Sequence, residues 1–288
     1  MNASPTPIIA YRHQRWIGLI RQDWSQAFAD HDPLSWMALL PHERSRYRLS
    51  RQIYRVDTDK GLVYLKVILG LNERSMQKKR SWMDSLKWRL RPSRAIQTLR
   101  VSQAMLANDI WCPPPILAAR EHQGGAARDI FIAEAVELPG LGMRLKDAAS
   151  DEHRIEMIRT VVPQIVKLHQ KRFLHGDLLP NNLHVTDDLS QVCFMDNDRT
   201  RQWPCSLPWW AIKRNLAQLV YRLLFHQGQA VAQSCLDAYG EAAGWKSSQQ
   251  VSRSATVLKI AQQRLEDYVP HDPQPPLPDD DLPPGQIR

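Results

Sequence analysis

At 288 residues, 43% of them hydrophobic, the chain can form one large or two modest domains with a full core. Its 38 Lys and Arg against 30 Asp and Glu leave a net charge of +8. That surplus favours an anionic partner: nucleotide, nucleic acid, anionic lipid or phosphorylated glycan. The four cysteines (Cys112, Cys193, Cys205, Cys235) have no CxxC or metal-ligand spacing and read as reduced thiols of a cytosolic protein. No apolar run approaches the roughly 20 residues of a membrane span, and the N-terminus lacks the apolar core of a secretory signal. A cytoplasmic protein, at most peripheral to a membrane, is expected.

In chain order, residues 1–40 carry Trp16, Ile17, Leu19, Ile20, Trp24 and Phe28 at roughly helical spacing, which predicts an amphipathic segment. It either packs as a flap on a neighbouring sheet or lies on a membrane surface. Residues 44–49, 51–56 and 62–69 read as strands, the last two separated by the turn at 57–61. Alternation puts Tyr64, Lys66 and Ile68 on one face. Lys66 interrupts an apolar run. It needs an anionic partner if buried, or it is an edge-strand lysine in solvent. No glycine stands between Gly18 and Gly61, so there is no GxGxxG phosphate loop.

Residues 73–94 are the most basic stretch, with eight Lys and Arg against Glu73 and Asp84. Trp82, Met83, Leu86 and Trp88 are interleaved. The stretch suits lipid headgroups or a phosphosugar, or else a solvated helical insertion. No nucleic-acid-binding motif accompanies it, so nucleic acid is not an expected partner. Ser93 then reads as the N-cap of a helix with Ala95, Leu99, Ser102 and Leu106 on one face. The turn at 111–115, rich in proline, leads to a strand at 116–119. Residues 128–136 form a second apolar strand, running into the hinge-like 137–140.

From Ser150 the pattern turns helical, with Pro163 predicting a kink and His169 a packed or capping histidine. Next comes His175-Gly-Asp-Leu-Leu-Pro-Asn-Asn182, followed by a short apolar strand ending at Asp196-Asn-Asp198-Arg199. Phosphoryl transfer needs one carboxylate to orient a hydroxyl and oxygen ligands to hold Mg²⁺. Asp177 suits the first role, Asn182 and Asp196 the second. Asp187 and Asp188 read as solvated turn residues. Further helices are expected at about 229–243 and 247–268. Residues 270–288, with seven prolines and four aspartates, read as a solvated tail.

The Asp-x-x-x-x-Asn element followed by a strand-borne Asp resembles the catalytic and metal-binding loops of the protein-kinase-like fold. With Gly176 beside it, HGDLxxxN…DxDR is similar to kinases of the lipopolysaccharide inner core, which phosphorylate Kdo or heptose. That resemblance implies an α+β fold of two lobes. A small antiparallel sheet lobe with one helix would span 41–136, with the basic insertion at 73–94. A mainly helical lobe would span 137–269, and 1–40 and 270–288 would flank the two. It implies ATP and Mg²⁺ as cofactors and a lipopolysaccharide-core or related glycolipid acceptor, with peripheral contact to an anionic membrane as a further expectation. Asp177 would be catalytic, Asn182 and Asp196 metal ligands, and Lys66 the phosphate contact, with backbone groups of Glu134 and Val136 meeting the adenine. His175 would brace the loop. Asp198 would help the metal or orient the loop, and the Trp-rich loop from Arg199 to Trp210 would face the acceptor or anchor the loop. Three departures stand out: the missing Gly-rich loop, Thr98 where such kinases carry the lysine's Glu partner, and Asn197 after the metal-binding Asp. The alternatives are a kinase for a protein or other small alcohol, and a pseudokinase that serves as a binding module.

Overall fold

The computed structural model describes residues 6–29, 32–33, 51–69, 92–121 and 128–268. They divide into two compact units. One runs to Ala107 and takes in Pro113–Val136; the other comprises Asn108–Cys112 and the chain from Glu137. The expected strand at 44–49, the basic stretch up to 91 and the tail from 270 lie outside the described residues. Among the described residues no helix is long and apolar enough to cross a membrane.

The first unit is an antiparallel sheet of six strands with one helix. The strands are β1 (Ile8–His13), β2 (Trp16–Arg21), β3 (Arg51–Thr58), β4 (Gly61–Leu69), β5 (Pro115–Glu121) and β6 (Arg128–Glu134). Their order is β1-β2-β5-β6-β4-β3. Helix α1 (Arg94–Leu106) covers one face, where Ala95 and Leu99 meet Ala118 with Phe131 alongside. Its first turn is closed as the sequence predicts: the Ser93 hydroxyl accepts the Ile96 amide at 3.3 Å. On the opposite face Val63, Leu65 and Val67 of β4 pack with Trp16, Ile20, Trp24 and Phe28.

Those four residues correct the amphipathic-helix reading of the N-terminal segment. Trp16 and Ile20 lie on a strand, and Trp24 and Phe28 lie in two short 3-10 turns. Spacing by four is ambiguous, because it marks one face of a helix and equally one face of a strand. The tertiary partner decides. Gln14, at φ 47°, makes a tight turn that pairs His13 with Trp16. Gly18 sits opposite Ala119, and a Cβ there would stand 1.9 Å from the Ala118 carbonyl oxygen. The backbone approach of β2 to β5 therefore requires glycine. Trp16, Trp24 and Phe28 are at most 2% exposed, so these rings face the core and are closed to a membrane surface.

Residues β3 and β4 form the expected hairpin, and β4 lies between β3 and β6. Lys66 is therefore on an interior strand, not an edge strand. It is opposite Phe131, on the α1 side of the sheet, and half-buried.

A buried ion pair that no local sequence pattern marks also holds this unit. Asp129 is fully buried. Its Oδ1 accepts from Arg120 Nε at 2.8 Å and its Oδ2 from Arg120 Nη2 at 3.1 Å. Oδ2 also accepts the Arg94 amide at 3.0 Å, which caps α1 with a negative charge.

The second unit is mainly helical: α2 (Leu141–Asp147), α3 (Asp151–Gln170), α4 (Trp209–Gln227), α5 (Gln229–Ala242) and α6 (Ser247–Tyr268). The Ser150 hydroxyl accepts the His153 amide at 3.3 Å, and α3 continues as one helix through Pro163. Between α3 and α4 run β7 (Phe173–Leu174), β8 (Leu183–Val185), β9 (Val192–Phe194) and β10 (Arg201–Gln202). They pair as β8 with β9 and β7 with β10. Helix α5 ends in a Schellman motif: Gly244 at φ +68° sends its amide to Glu241 at 3.1 Å, and Trp245 sends its amide to Gly240 at 2.8 Å. The motif lays Trp245 against Tyr239, with ring centroids 5.2 Å apart. The fold class is the α+β arrangement expected.

Removing one charge of a buried pair strands the other. Asp129→Asn should lower the unfolding free energy by about 3 kcal/mol, read as a shift in the urea midpoint. An unchanged midpoint would show that Asp129 does not anchor this unit.

Candidate active site

The second unit gathers three of the sequence-selected residues around one buried ring. His175 is fully buried. Its Nδ1 accepts the Asp177 amide at 3.2 Å, so the proton sits on Nε2, which donates to the Met195 carbonyl at 2.9 Å. Burial pushes its pKa down, against hydrogen bonding to Met195 and the nearby charges of Asp196 and Asp177. Both carboxylates thus act on the same neutral imidazole.

Asn182 closes the loop. Its Nδ2 donates to the Asp177 carbonyl at 2.8 Å, and its own carbonyl accepts the Met195 amide at 2.9 Å. That leaves Oδ1, the metal-type donor, free of hydrogen bonds among the described residues. The Asp177 carboxylate likewise makes none there, and the residue is half-buried. Asp196 stands at φ 52°, ψ 55°, a left-handed conformation that Asp tolerates better than most residues. It starts the 3-10 turn at 197–199, which also holds the half-buried Asp198.

Two residues around this loop have roles that sequence reading missed. Asn197 does not disturb the packing: its Nδ2 donates to the Phe194 carbonyl at 2.8 Å, and its Oδ1 accepts the Thr200 hydroxyl at 3.1 Å. Gly176 is needed because a Cβ there would meet Arg199 Cβ at 2.1 Å and the Arg199 carbonyl oxygen at 2.4 Å. Gly176 depends on Arg199, 23 residues along the chain, and carries no local signal, whereas Asn197 bonds within its own turn to Phe194 and Thr200.

A second buried polar chain supports the loop from below. Asn215 donates from Nδ2 to the His175 carbonyl at 2.5 Å, and its Oδ1 accepts from His169 Nε2 at 3.0 Å. His169 Nδ1 then accepts the Tyr239 hydroxyl at 2.8 Å. His169 is the packed histidine the sequence predicted, held neutral with its pKa pushed down to about 4 by burial, against the hydrogen bond to Asn215. Asp188 fits its turn reading: Thr186 and Ser190 hydrogen bonds hold its pKa down to about 2.

The donor set fits Mg²⁺. The ion takes hard oxygens, is bound by one or two protein groups, and completes its shell from phosphate and water. Asn182 Oδ1 and the Asp196 carboxylate are such groups. Among the described residues no cluster of three or more His, Cys, Asp or Glu provides an all-protein cage.

Lys66, Glu134 and Val136 belong to the sheet unit. Thr98, in the place of the expected Glu, is buried, and its hydroxyl donates to the Arg94 carbonyl at 2.8 Å. Helix α1 therefore presents no carboxylate here. The Glu134 carboxylate pairs with Arg21 at 2.5 Å. Its amide goes to Pro114 and that of Ala135 to Leu62, each at 2.9 Å. The Val136 amide has no partner among the described residues.

The sequence model of the lipopolysaccharide kinase (Kdo/WaaP) family matches residues 69–239. No curated protein matches the chain. Among solved structures, the chain is similar to the bifunctional kinase-methyltransferase WbdD, at 14% identity and a TM-score of 0.43. That match covers 75% of this chain and 47% of the other.

Two outcomes follow from the loop's packing. Gly176→Ala should overpack it and destabilise the second unit by roughly 1–3 kcal/mol, measured by denaturant unfolding. For His169, the native pKa near 4 lies below the unfolded value of 6.5. Its contribution is therefore complete above pH 6.5 and lost as pH falls toward 4, by about 3 kcal/mol in all. His169→Gln should flatten that part of the stability profile. A variant with the wild-type slope would refute the assignment.

Proposed function

The chain belongs to the lipopolysaccharide kinase (Kdo/WaaP) family; on that premise we propose that it is a kinase that uses ATP to phosphorylate a Kdo or heptose hydroxyl of the lipopolysaccharide inner core. The observation that carries this reading is that His175 bonds the Asp177 amide and the carbonyl of Met195, the residue before Asp196, while Asn182 bonds the Asp177 carbonyl.

In this reading Asp177 orients the acceptor hydroxyl. The hydroxyl oxygen attacks the γ-phosphorus as the bond to the β-phosphate oxygen breaks. ADP leaves, and the hydroxyl proton passes to the Asp177 carboxylate. Asn182 Oδ1 and Asp196 hold Mg²⁺, which when bound neutralises phosphate charge. Lys66 steadies the phosphates. The Glu134 carbonyl and the Val136 amide meet the adenine, and the Arg21 ion pair fixes the Glu134 side chain away from that duty. Catalysis comes from positioning and charge neutralisation.

Purified protein supplied with ATP, Mg²⁺ and either Kdo-lipid A or heptosylated lipid A should release ADP. Asp177→Asn should lower turnover by at least about 100-fold while keeping the rise in melting temperature with Mg-ATP. Asp196→Asn should lose both. Phosphate incorporated only into a protein acceptor would overturn the glycolipid assignment, and a melting curve indifferent to millimolar Mg-ATP would favour a non-catalytic binding module.

A further inference from the structure

Below the Asp177 loop the helical unit contains a cavity of about 430 Å³, within the range of small-molecule sites. Trp209, Trp245 and Tyr239 form its walls, and Ser206 and Gln170 add polar groups. The indoles of Trp209 and Trp245 stand nearly perpendicular, at 87°, with centroids 5.5 Å apart. In the angle between them lies Arg253, its guanidinium carbon 4.9 Å from the Trp209 centroid and 5.2 Å from that of Trp245.

This corner is built. Trp245 is placed by the Schellman motif that ends α5. It also needs Gly240, where a Cβ would lie 2.8 Å from the Trp245 ring and 1.5 Å from Gln250 Oε1. The guanidinium lies within cation–π range of both rings, and its N–H groups make no hydrogen bond among the described residues. No acidic residue lines the cavity, and Arg253 forms no ion pair among the described residues. Aromatic faces suit the C–H face of a sugar ring, and a guanidinium fork suits a carboxylate or phosphate.

We propose that this cavity is a binding site for an anionic sugar, a pyranose bearing a carboxylate or a phosphate, separate from the phosphoryl-transfer residues. Arg253 takes the anionic group, and Trp209 and Trp245 take the ring. Tyr239 and His169 also line the cavity, and their hydrogen-bond chain through Asn215 ends at the His175 carbonyl. The site's occupant thus touches the structure that supports the catalytic loop. Only the choice of a sugar as ligand leans on the kinase reading, and the test below reads binding, not turnover.

Full-length protein labelled with 5-fluorotryptophan is titrated, by fluorine NMR, with glucuronate, glucose 6-phosphate, glucose and inorganic phosphate. The ten tryptophan signals include those of Trp209 and Trp245, assigned with the Trp209→Phe and Trp245→Phe variants. Both signals should move saturably with one or both acidic sugars, and at least tenfold more weakly with glucose and with phosphate. The two acidic sugars separate a carboxylate site from a phosphate site. Arg253→Gln should weaken binding at least tenfold, Arg253→Lys less, and Asp177→Asn not at all. The wild-type titration decides the matter even if Arg253→Gln fails to fold. Equal response to glucose, equal response to inorganic phosphate, or no response of these two signals would each overturn the proposal. Weakening by Asp177→Asn would show that the ligand occupies the transfer site instead. If phosphotransfer fails while this binding holds, the kinase assignment falls and the sugar site stands.

Discussion

His175 accepts the Asp177 amide on one ring nitrogen and donates to the Met195 carbonyl from the other. The loop carrying Asp177 and the loop carrying Asp196 therefore share one neutral ring. The arrangement works only while the ring is uncharged, since a doubly protonated imidazole could not accept the Asp177 amide. Burial secures that state in spite of two carboxylates that favour the cation. Asn182 adds a second tie between the same loops, and Asn215 holds the His175 backbone from the helical side. Gly176 follows from the same demand, because the two loops must lie close enough for one ring to span them.

Much of this was legible where the cause is local. Ser93 and Ser150 announce their helices because a cap is closed by an amide three residues on. The alternation in β4 is visible because its buried face, Val63, Leu65 and Val67, repeats every second residue. The spacing of Asp177 and Asn182 singles out the loop because the asparagine must reach back to the aspartate's carbonyl. What escaped is non-local. Trp16, Ile20, Trp24 and Phe28 are four apart, and pairing with β1 and with β5, about a hundred residues later, makes a strand of their first half. Asp129 sits opposite Arg120, and nothing in its immediate sequence marks a buried ion pair. Tyr239 reaches His169 across 70 positions.

The sheet unit shows how a missing residue changes what holds a helix. Without a glutamate on α1, Thr98 turns its hydroxyl back to its own helix. The helix is held instead at its N-terminus by Asp129, and on its buried face by Ala95 and Leu99 against Ala118. The opposite face is covered by the N-terminal aromatics. Lys66 thus sits in a sheet packed on both sides, on a strand that cannot drift as an edge strand can.

The cap from Asp129 bears on how such an enzyme is switched. Many two-state proteins change activity by swinging one helix away from a sheet. Here a swing would break a charge-assisted hydrogen bond of roughly 1.5–3 kcal/mol and expose a leucine whose burial is worth a similar amount. At a factor of ten for every 1.4 kcal/mol, the swung-out form falls below about one molecule in a hundred.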